Sequence, residues 1–253
     1  MAALPILCYH NVAIAPEKAR FKSLYVSPDR FERQLWSLRR LGFRGVSMGE
    51  GMTRLRNGTA RGCVALTFDD GYADTLATAA PLMQQYGVRA TCYIVAGALG
   101  TYNRWDAEFL GERKPLMSRA QLDQWLALGM EVGSHSLSHR SLPELPQDAA
   151  FCEIAESRAT LHTMLGVAVE HFAYPFGYFT AATVELVRRA GYSSAVTVLP
   201  GVALASADRL QLPRILVDGA RGLWRFLLHA ATPYERLRRP RAASRPPLSL
   251  IHI

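Results

Sequence analysis

Two adjacent carboxylates, Asp69 and Asp70, follow almost directly after the apolar run Cys63-Val64-Ala65-Leu66. A continuous apolar run predicts a buried strand, and Gly71 indicates that the chain turns out of it. Burying two neighbouring negative charges at a strand end is costly unless a positive group lies beside them. The pair is therefore a candidate cation site, although Asp-Asp-Gly is also a common turn sequence.

Two histidines, His135 and His139, stand four residues apart in Gly-Ser-His-Ser-Leu-Ser-His. Side chains at this spacing can face one way on a helical turn. One carboxylate and two imidazoles form a divalent-metal ligand set with an open position for water, which leaves the second carboxylate free to act as a base. Two surface histidines would have the same spacing, so the interpretation depends on both motifs ending strands.

A third segment, Phe172-Ala173-Tyr174-Pro175-Phe176-Gly177, strengthens the functional interpretation. The chain resembles the polysaccharide deacetylases, which are carbohydrate esterase family 4 with a NodB homology domain. Three segments match the first three motifs of that family in order and spacing: Thr67-Phe68-Asp69-Asp70-Gly71, His135-Ser136-Leu137-Ser138-His139 and Tyr174-Pro175-Phe176-Gly177. Three further segments are similar to the branch that acts on poly-N-acetylglucosamine and related exopolysaccharides: 4–12, 31–35 and 41–43.

The length and composition allow one barrel-sized domain. The chain has 253 residues, of which 49% are hydrophobic, and this is enough for a single core. The sequence contains no run of eighteen apolar residues, so we expect no transmembrane segment. The N-terminus lacks the basic region of a signal peptide. The four cysteines are far apart without metal-type spacing: Cys8, Cys63, Cys92 and Cys152. Three of them lie in apolar runs, and we expect buried free thiols and a cytoplasmic protein, with export as the alternative if the N-terminus is incomplete.

The net charge of +8 does not predict a nucleic-acid partner, because much of it is concentrated near the C-terminus. Removing the five charges of the arginines at 236, 238, 239, 241 and 245 leaves +3 for the rest of the chain. A basic, proline-rich terminus is typical of a solvated tail. We therefore predict a catalytic domain at 1–231 and a tail at 232–253, and leave the abruptly apolar segment 247–253 out of the fold prediction.

Short apolar runs alternate with helical patterns, which is typical of β/α units around a parallel sheet. Because every motif falls at the C-terminal end of a predicted strand, we expect a TIM-like (β/α) barrel. The family resemblance implies a distorted barrel of seven strands. The predicted strands are 4–9, 63–69, 90–95, 130–134, 171–174, 194–198 and 212–217, and the predicted helices are 28–40, 74–86, 119–129, 147–165 and 180–190.

The resemblance assigns the metal ligands, with Zn²⁺ the default ion for a mixed N/O set and other first-row metals also used in the family. Those ligands are Asp70, His135 and His139. Asp69 is then the base that accepts the proton of the attacking water, and the backbone N–H of Phe176 stabilises the oxyanion.

The chain departs from the family pattern at two places. Many members have an arginine in the third motif that orients the catalytic aspartate, but Ala173 stands there, and Arg214 is a candidate substitute. Many also have a Leu-x-His motif whose histidine protonates the leaving amine. His229 matches this motif in sequence but lies in a helical pattern, which favours an ordinary helix residue. His10, at the end of the first strand, is a second candidate acid, and the alternative is that it is a neutral neighbour of the site.

We predict that aromatic and rigid residues near the motifs contact the substrate, since aromatic faces suit sugar rings. The alternative for each is ordinary packing. The candidates are Tyr72, Trp105, Tyr174, Pro175 and Phe176.

The sequence therefore predicts a metal-dependent hydrolase that removes N-acetyl groups from an acetylated amino sugar in a poly- or oligosaccharide. Two alternatives remain open. One is a metal-independent hydrolase of cyclic imides or ureides on the same barrel, and the other is a non-catalytic sugar-binding relative.

Overall fold

Seven parallel strands form a closed barrel in the computed structural model, which describes residues 2–237 apart from the side chains of residues 109, 110, 236 and 237. Each strand pairs with the next along the chain, and the last pairs with the first, Ile215 opposite Leu7. The predicted seven-stranded (β/α) barrel is confirmed. Its strands are β1 (Ile6–Tyr9), β2 (Cys63–Phe68), β3 (Ala90–Ile94), β4 (Glu131–Ser134), β5 (His171–Ala173), β6 (Ser194–Pro200) and β7 (Leu212–Leu216).

All seven strands were predicted to within two residues at each end, because most are buried on both faces and read as apolar runs. The strand Arg44–Val46 was not predicted, since its residues Arg-Gly-Val do not form an apolar run. It pairs with the first half of β2, while β1 pairs with the second half. Other short strands pair outside the barrel: Ala3–Leu4 with Ala203–Leu204, and Asn11–Val12 with Tyr25–Val26.

Helices follow the barrel strands, as the predicted β/α alternation requires. The five predicted helices are all present, and the predicted capping box of Ser118 and Gln121 is formed. Helix α2 was not predicted. The helices are α1 (Pro28–Arg40), α2 (Met48–Arg56), α3 (Ala80–Tyr86, preceded by a π-helical turn Thr75–Ala79), α4 (Ala107–Leu110), α5 (Arg119–Ala127), α6 (Gln147–Leu165), α7 (Ala181–Arg189), α8 (Leu223–Ala231) and α9 (Tyr234–Leu237).

Successive side chains of a strand point to opposite faces of the sheet, so one hydrophobic core forms between the sheet and the helices and a second forms inside the barrel. In β2, Val64, Leu66 and Phe68 pack with the helices, while Cys63 and Ala65 join a smaller cluster inside the barrel. Helix α2 closes the lower end of that interior, because its apolar residues belong to the same inner cluster. The same alternation directs Thr67 and Asp69 into the barrel.

None of the helices within residues 2–237 has the length and apolar character needed to cross a membrane. The predicted tail starts at residue 232, but its first residues include α9, which packs on α8. Residues 238–253, including the apolar segment 247–253, lie outside the described part of the chain. The four cysteines are free thiols, as predicted.

Candidate active site

The Asp-Asp pair lies at the C-terminal rim of the barrel, directly after β2. Asp69 continues the inward alternation of the strand and is 2% exposed. Asp70 then takes a left-handed conformation with φ of 73°, and this turn directs its carboxylate away from that of its neighbour. The two aspartates consequently belong to different clusters.

Asp70 meets the two imidazoles of the second motif. Oδ1 of Asp70 lies 3.5 Å from Nε2 of His135 and 3.3 Å from Nε2 of His139, and the two Nε2 atoms are 3.2 Å apart. Ligand atoms at about 2.1 Å from a tetrahedral ion are separated by about 3.4 Å. The three donor atoms therefore have the spacing of one face of a tetrahedral metal site.

His135 has the protonation state that a ligand requires. Its Nδ1 donates to the carbonyl oxygen of Ala173 at 2.8 Å, which leaves the lone pair of Nε2 facing Asp70 and His139. Burial, followed by the neighbouring imidazole of His139, lowers the pKa of His135 to about 4. The imidazole is therefore neutral at physiological pH.

The two histidines do not lie on a helical turn, although their i, i+4 spacing would allow one. Residues 135–139 form a loop in which Ser136 and His139 have φ of 66° and 60°. Glu153, on α6, holds this loop: its Oε2 accepts hydrogen bonds from the backbone N–H of Leu137 at 3.1 Å and Ser138 at 2.8 Å. Sequence reasoning missed Glu153, because a glutamate within a helix carries no local signal of this role.

Backbone strain is concentrated at the site. Within residues 2–237, four non-glycine residues have positive φ, and all four belong to the three motifs: Asp70, Ser136, His139 and Phe176. Such conformations cost on the order of 1–3 kcal/mol each and persist where the surrounding structure fixes them. The turns that carry the candidate ligands are therefore held in shape by their packing.

Arg214 lies against Asp69 inside the barrel. Its Nη1 and Nη2 donate to Oδ1 and Oδ2 of Asp69 at 2.7 Å each, and its Nε donates to the carbonyl oxygen of Thr197 at 2.8 Å. Burial alone would raise the pKa of Asp69, but the charge and hydrogen bonds of Arg214 outweigh it and hold this pKa well below its usual range. Arg214 thus has the geometry expected of a residue that orients Asp69.

The two candidate acids have different surroundings. One nitrogen of His10, Sγ of Cys8 and a carboxylate oxygen of Asp69 lie within 4.8 Å of one another, so His10 stands beside the candidate base. His229 is in α8, where its Nδ1 bonds to Glu235, and it is in neither titratable cluster of the described residues. The structure thus places His229 in a helix and outside both clusters, as its helical pattern favoured, and gives no geometric support to its role as the acid.

A cleft of about 640 Å³ opens next to the candidate metal ligands. The ring of Trp105 stacks on His139 with centroids 4.6 Å apart, and the ring of Phe176 meets His139 edge-on at 4.5 Å. Both aromatic residues line the cleft, so the structure leaves them available for substrate contact. Trp105 is on the loop between β3 and α5.

Three of the predicted substrate contacts are buried instead, which corrects the sequence interpretation. Tyr174 is fully buried and its hydroxyl donates to the carbonyl oxygen of Leu210 at 3.0 Å. Pro175 is buried in the turn that precedes Phe176. Tyr72 is 2% exposed, and its hydroxyl bonds to the carboxylate of Asp70. Their motif positions gave no indication that the side chains turn inward.

The loop that carries Trp105 is anchored by buried polar groups that the sequence did not reveal. Nζ of Lys114 bonds to Oδ2 of Asp74 at 2.6 Å and lies 5.1 Å from the ring centre of Tyr72. Nδ2 of Asn103 donates to Oδ1 of Asp106 at 2.6 Å. Burial, followed by the charge of Asp70, raises the pKa of Asp106 to about 7.

A family model described as polysaccharide deacetylase matches residues 56–195, which include all three motifs. The chain belongs to the polysaccharide deacetylase family. The predicted family and the predicted class of enzyme, a carbohydrate deacetylase, are thereby confirmed. His10 and Arg214 lie outside the matched residues, so family membership carries no assignment for either.

Curated relatives and solved structures agree with this membership. The Bacillus subtilis protein YxkH is 27% identical over 219 residues, which are 86% of this chain and 72% of that protein. The deacetylase PplD of Streptococcus pyogenes, solved with acetate, has 26% identity and a TM-score of 0.79 over 91% of this chain and 99% of that one. IcaB of Ammonifex degensii has 26% identity and a TM-score of 0.70 over 85% and 91%.

Proposed function

We propose that this deacetylase uses a divalent metal ion to remove acetyl groups from the nitrogen of an acetylated amino sugar. One observation carries the proposal: three donor atoms of Asp70, His135 and His139 lie 3.2–3.5 Å apart beside a second, separately held carboxylate. The two Nε2 atoms are only 3.2 Å apart, and lone pairs that converge at this distance repel each other unless a proton or a cation lies between them. Zn²⁺ is the default ion for this donor set.

Asp69 is the proposed base. A bound metal ion would lower the pKa of a water molecule and polarise the acetamide carbonyl. Asp69 is outside the ligand triad, and Arg214 fixes both of its oxygens, so the carboxylate is held ready to accept a proton from that water. Phe176, at the cleft wall with φ of 57°, supplies its backbone N–H to the developing oxyanion.

His10 is the proposed acid for the departing amine. It stands at the end of β1, next to Asp69, and it is half-buried, so that it borders both the barrel interior and solvent. A half-exposed imidazole can pick up a proton from water after each turnover. If His10 is instead only a neutral neighbour of the site, activity should survive the replacement of His10.

The proposed substrate is an N-acetylated hexosamine within a poly- or oligosaccharide. A poly-β-1,6-N-acetyl-D-glucosamine N-deacetylase of Staphylococcus epidermidis is 23% identical over 164 residues, which are 61% of this chain and 54% of that protein. That relative makes poly-N-acetylglucosamine oligomers the first substrates to test. The aromatic walls at Trp105 and Phe176 suit sugar rings.

The deciding experiment measures acetate release from a panel of N-acetylated oligosaccharides, with and without a chelator. We expect release that stops on chelation and returns with added metal. Asp69→Asn should keep the metal but lose turnover, whereas His135→Ala should lose both. Turnover in the Asn variant at the parental rate would refute the base assignment.

The same assay separates the alternatives. Chelator-resistant opening of a cyclic imide, without acetate release from any sugar, would favour the metal-independent hydrolase. Saturable sugar binding without acetate release would favour a non-catalytic relative. The intact ligand triad and the separate carboxylate argue against both.

A further inference from the structure

The outer surface formed by α1 and α8 exposes large hydrophobic side chains. Within the described residues, six large hydrophobic side chains are exposed, and four of them belong to α1, to α8 or to the residues that follow these helices: Trp36, Leu41, Trp224 and Tyr234. Trp224 is 78% exposed and Trp36 is 53% exposed. Exposed aromatic residues on two helices that pack together indicate a surface that meets a partner.

The two helices lie side by side with their outer faces together. Helix α8 packs against α1, and Arg30 in the first turn of α1 donates to the carbonyl oxygens of Gly219 and Arg221, just before α8. Helix α1 buries Phe31, Leu35 and Leu38 towards the barrel. Its outward stripe therefore contains Asp29, Arg33, Trp36 and Arg40, in the helical spacing of one face.

This surface, which we call the α1–α8 face, is also positively charged. Residues 28–40 and 218–231 contain six arginines and three carboxylates. One of those carboxylates, Asp218, bonds to Arg221, and another, Glu32, bonds to Tyr86. Arg40 stacks over the ring of Trp36 at 5.9 Å, which places a cation directly on an exposed aromatic residue.

We propose that the α1–α8 face docks the protein on an anionic phospholipid surface. Tryptophan favours the membrane–water interface, and each arginine near an anionic lipid surface contributes about 1 kcal/mol. Arginine heads flanking tryptophan rings fit such a boundary, since the rings enter the headgroup layer while the guanidinium groups stay at the phosphates. A nucleic acid would use the charges but not the exposed indoles, and a second basic copy would be repelled.

The position of the face gives the docking a consequence for the site. Both helices follow strands whose C-terminal ends form the catalytic rim, so their first turns lie at the level of that rim. Trp224 is in the first turn of α8. The cleft is lined by the loops after β3, β4 and β5, on the other side of the barrel, so docking through this face would leave the cleft open to solvent. The docking itself does not depend on the proposed deacetylase function.

The test is co-sedimentation of the full chain with vesicles of phosphatidylcholine alone or mixed with phosphatidylglycerol. We expect binding to the mixed vesicles only, weakened at about 0.5 M salt by screening. Trp36→Ala with Trp224→Ala should lower the partition coefficient about tenfold, because burial of the two indoles is lost. Arg33→Gln with Arg225→Gln should lower it as well.

Matched controls come from exposed residues elsewhere. Leu128→Ala removes an exposed apolar side chain at the end of α5, and Arg61→Gln removes an exposed arginine before β2. Both should bind vesicles like the parent. All variants should retain the parental melting temperature and acetate release from a soluble oligosaccharide, which separates docking from folding and from catalysis.

Four results would overturn the proposal. The first is equal binding to both vesicle types, and the second is unchanged binding of the double tryptophan variant. The third is loss of binding only when the arginines at 238, 239, 241 and 245 are replaced. The fourth is a dimer or a nucleic-acid complex that the double tryptophan variant abolishes, because the face would then have a different occupant.

Discussion

At the scale of single residues, each of the two neighbouring aspartates has a different partner. Asp69 faces Arg214 inside the barrel, while Asp70 faces His135 and His139 at the rim. The sequence could predict the triad, because its members occur in compact motifs. The pairing of Asp69 with Arg214 could be proposed only as a candidate, since 145 residues separate the two in the chain.

Replacing Arg214 should affect both folding and turnover. Arg214→Gln leaves Asp69 buried and without its counter-charge, so we expect a loss of about 3–5 kcal/mol in the free energy of unfolding. Arg214→Lys keeps the charge but loses the bidentate geometry, and its kcat should fall at least about tenfold with a smaller loss of stability. Urea denaturation and acetate release measure the two effects.

Arg158 provides the matched control for that prediction. It donates to the carbonyl oxygens of Val169 and Ala190, remote from the motifs. Arg158→Gln should lower stability and leave kcat unchanged. A parental kcat in Arg214→Lys would show that Asp69 needs no bidentate partner.

The metal-free protein should lose stability as the pH falls from about 6.5 to about 4. Burial, with the neighbouring His139, lowers the pKa of His135 to about 4, whereas an unfolded histidine has a pKa near 6.5. Between these values the unfolded chain binds more protons, so acid favours unfolding by up to about 3 kcal/mol.

Thermal unfolding of the chelated protein across this pH range measures that loss. His135→Gln should flatten the dependence, whereas His162→Gln, at an exposed histidine outside the cluster, should not. A parental pH dependence in His135→Gln would contradict the assignment.

At the scale of elements, the turns after the strands determine the site, and they were the least predictable part. The strand and helix segments followed from apolar runs and caps. The spacing at 135–139 allowed a helical turn, and Tyr174 was a candidate substrate contact with packing as the alternative. The sequence could not decide either point, because left-handed residues and tertiary hydrogen bonds, such as those to Glu153, determine where these side chains point.

The turn that presents Phe176 depends on Gly177. A Cβ at Gly177 would lie 2.2 Å from Cγ2 of Val198, and its φ is +70°. Gly177→Ala should therefore displace the turn and lower kcat/KM at least about tenfold, beyond the cost of about 1–2 kcal/mol for a left-handed alanine. Adding Val198→Ala should restore part of the activity.

The control for this prediction is Gly166→Ala. Gly166 has a similar φ of +68° at the end of α6, but a Cβ there meets nothing within 4 Å. This variant should lose stability only. Equal kinetics in the two variants would show that the Val198 contact has no part in positioning Phe176.

At the scale of the whole molecule, the barrel separates chemistry at its upper rim from closure at its lower end. Helix α2 closes the lower end, where both carboxylate oxygens of Glu131 accept the N–H of Gly49 at 3.1 and 3.2 Å, and the hydroxyl of Thr91 donates to the same carboxylate. This contact was not predicted, because α2 itself was not. Residues at this end of such barrels affect stability more than catalysis.

Glu131→Gln should lower the free energy of unfolding by about 1–3 kcal/mol, since it removes the charge from a hydrogen-bonded carboxylate. Metal content and kcat should stay at the parental values. Differential scanning calorimetry and metal analysis on one preparation measure these quantities. Glu156→Gln, at an exposed position of α6, is the matched control and should change neither.

The contact between Arg214 and Asp69 also implies an order in which the parts of the candidate site can form as the chain is synthesised. The guanidinium arrives on the last barrel strand, whereas the triad is complete once residue 139 has been made. A nascent chain that has reached the third motif could therefore hold a metal ion while its base is still unrestrained. If Asp69 is the base, hydrolysis would begin only after β7, the strand that closes the barrel by pairing with β1, has left the ribosome.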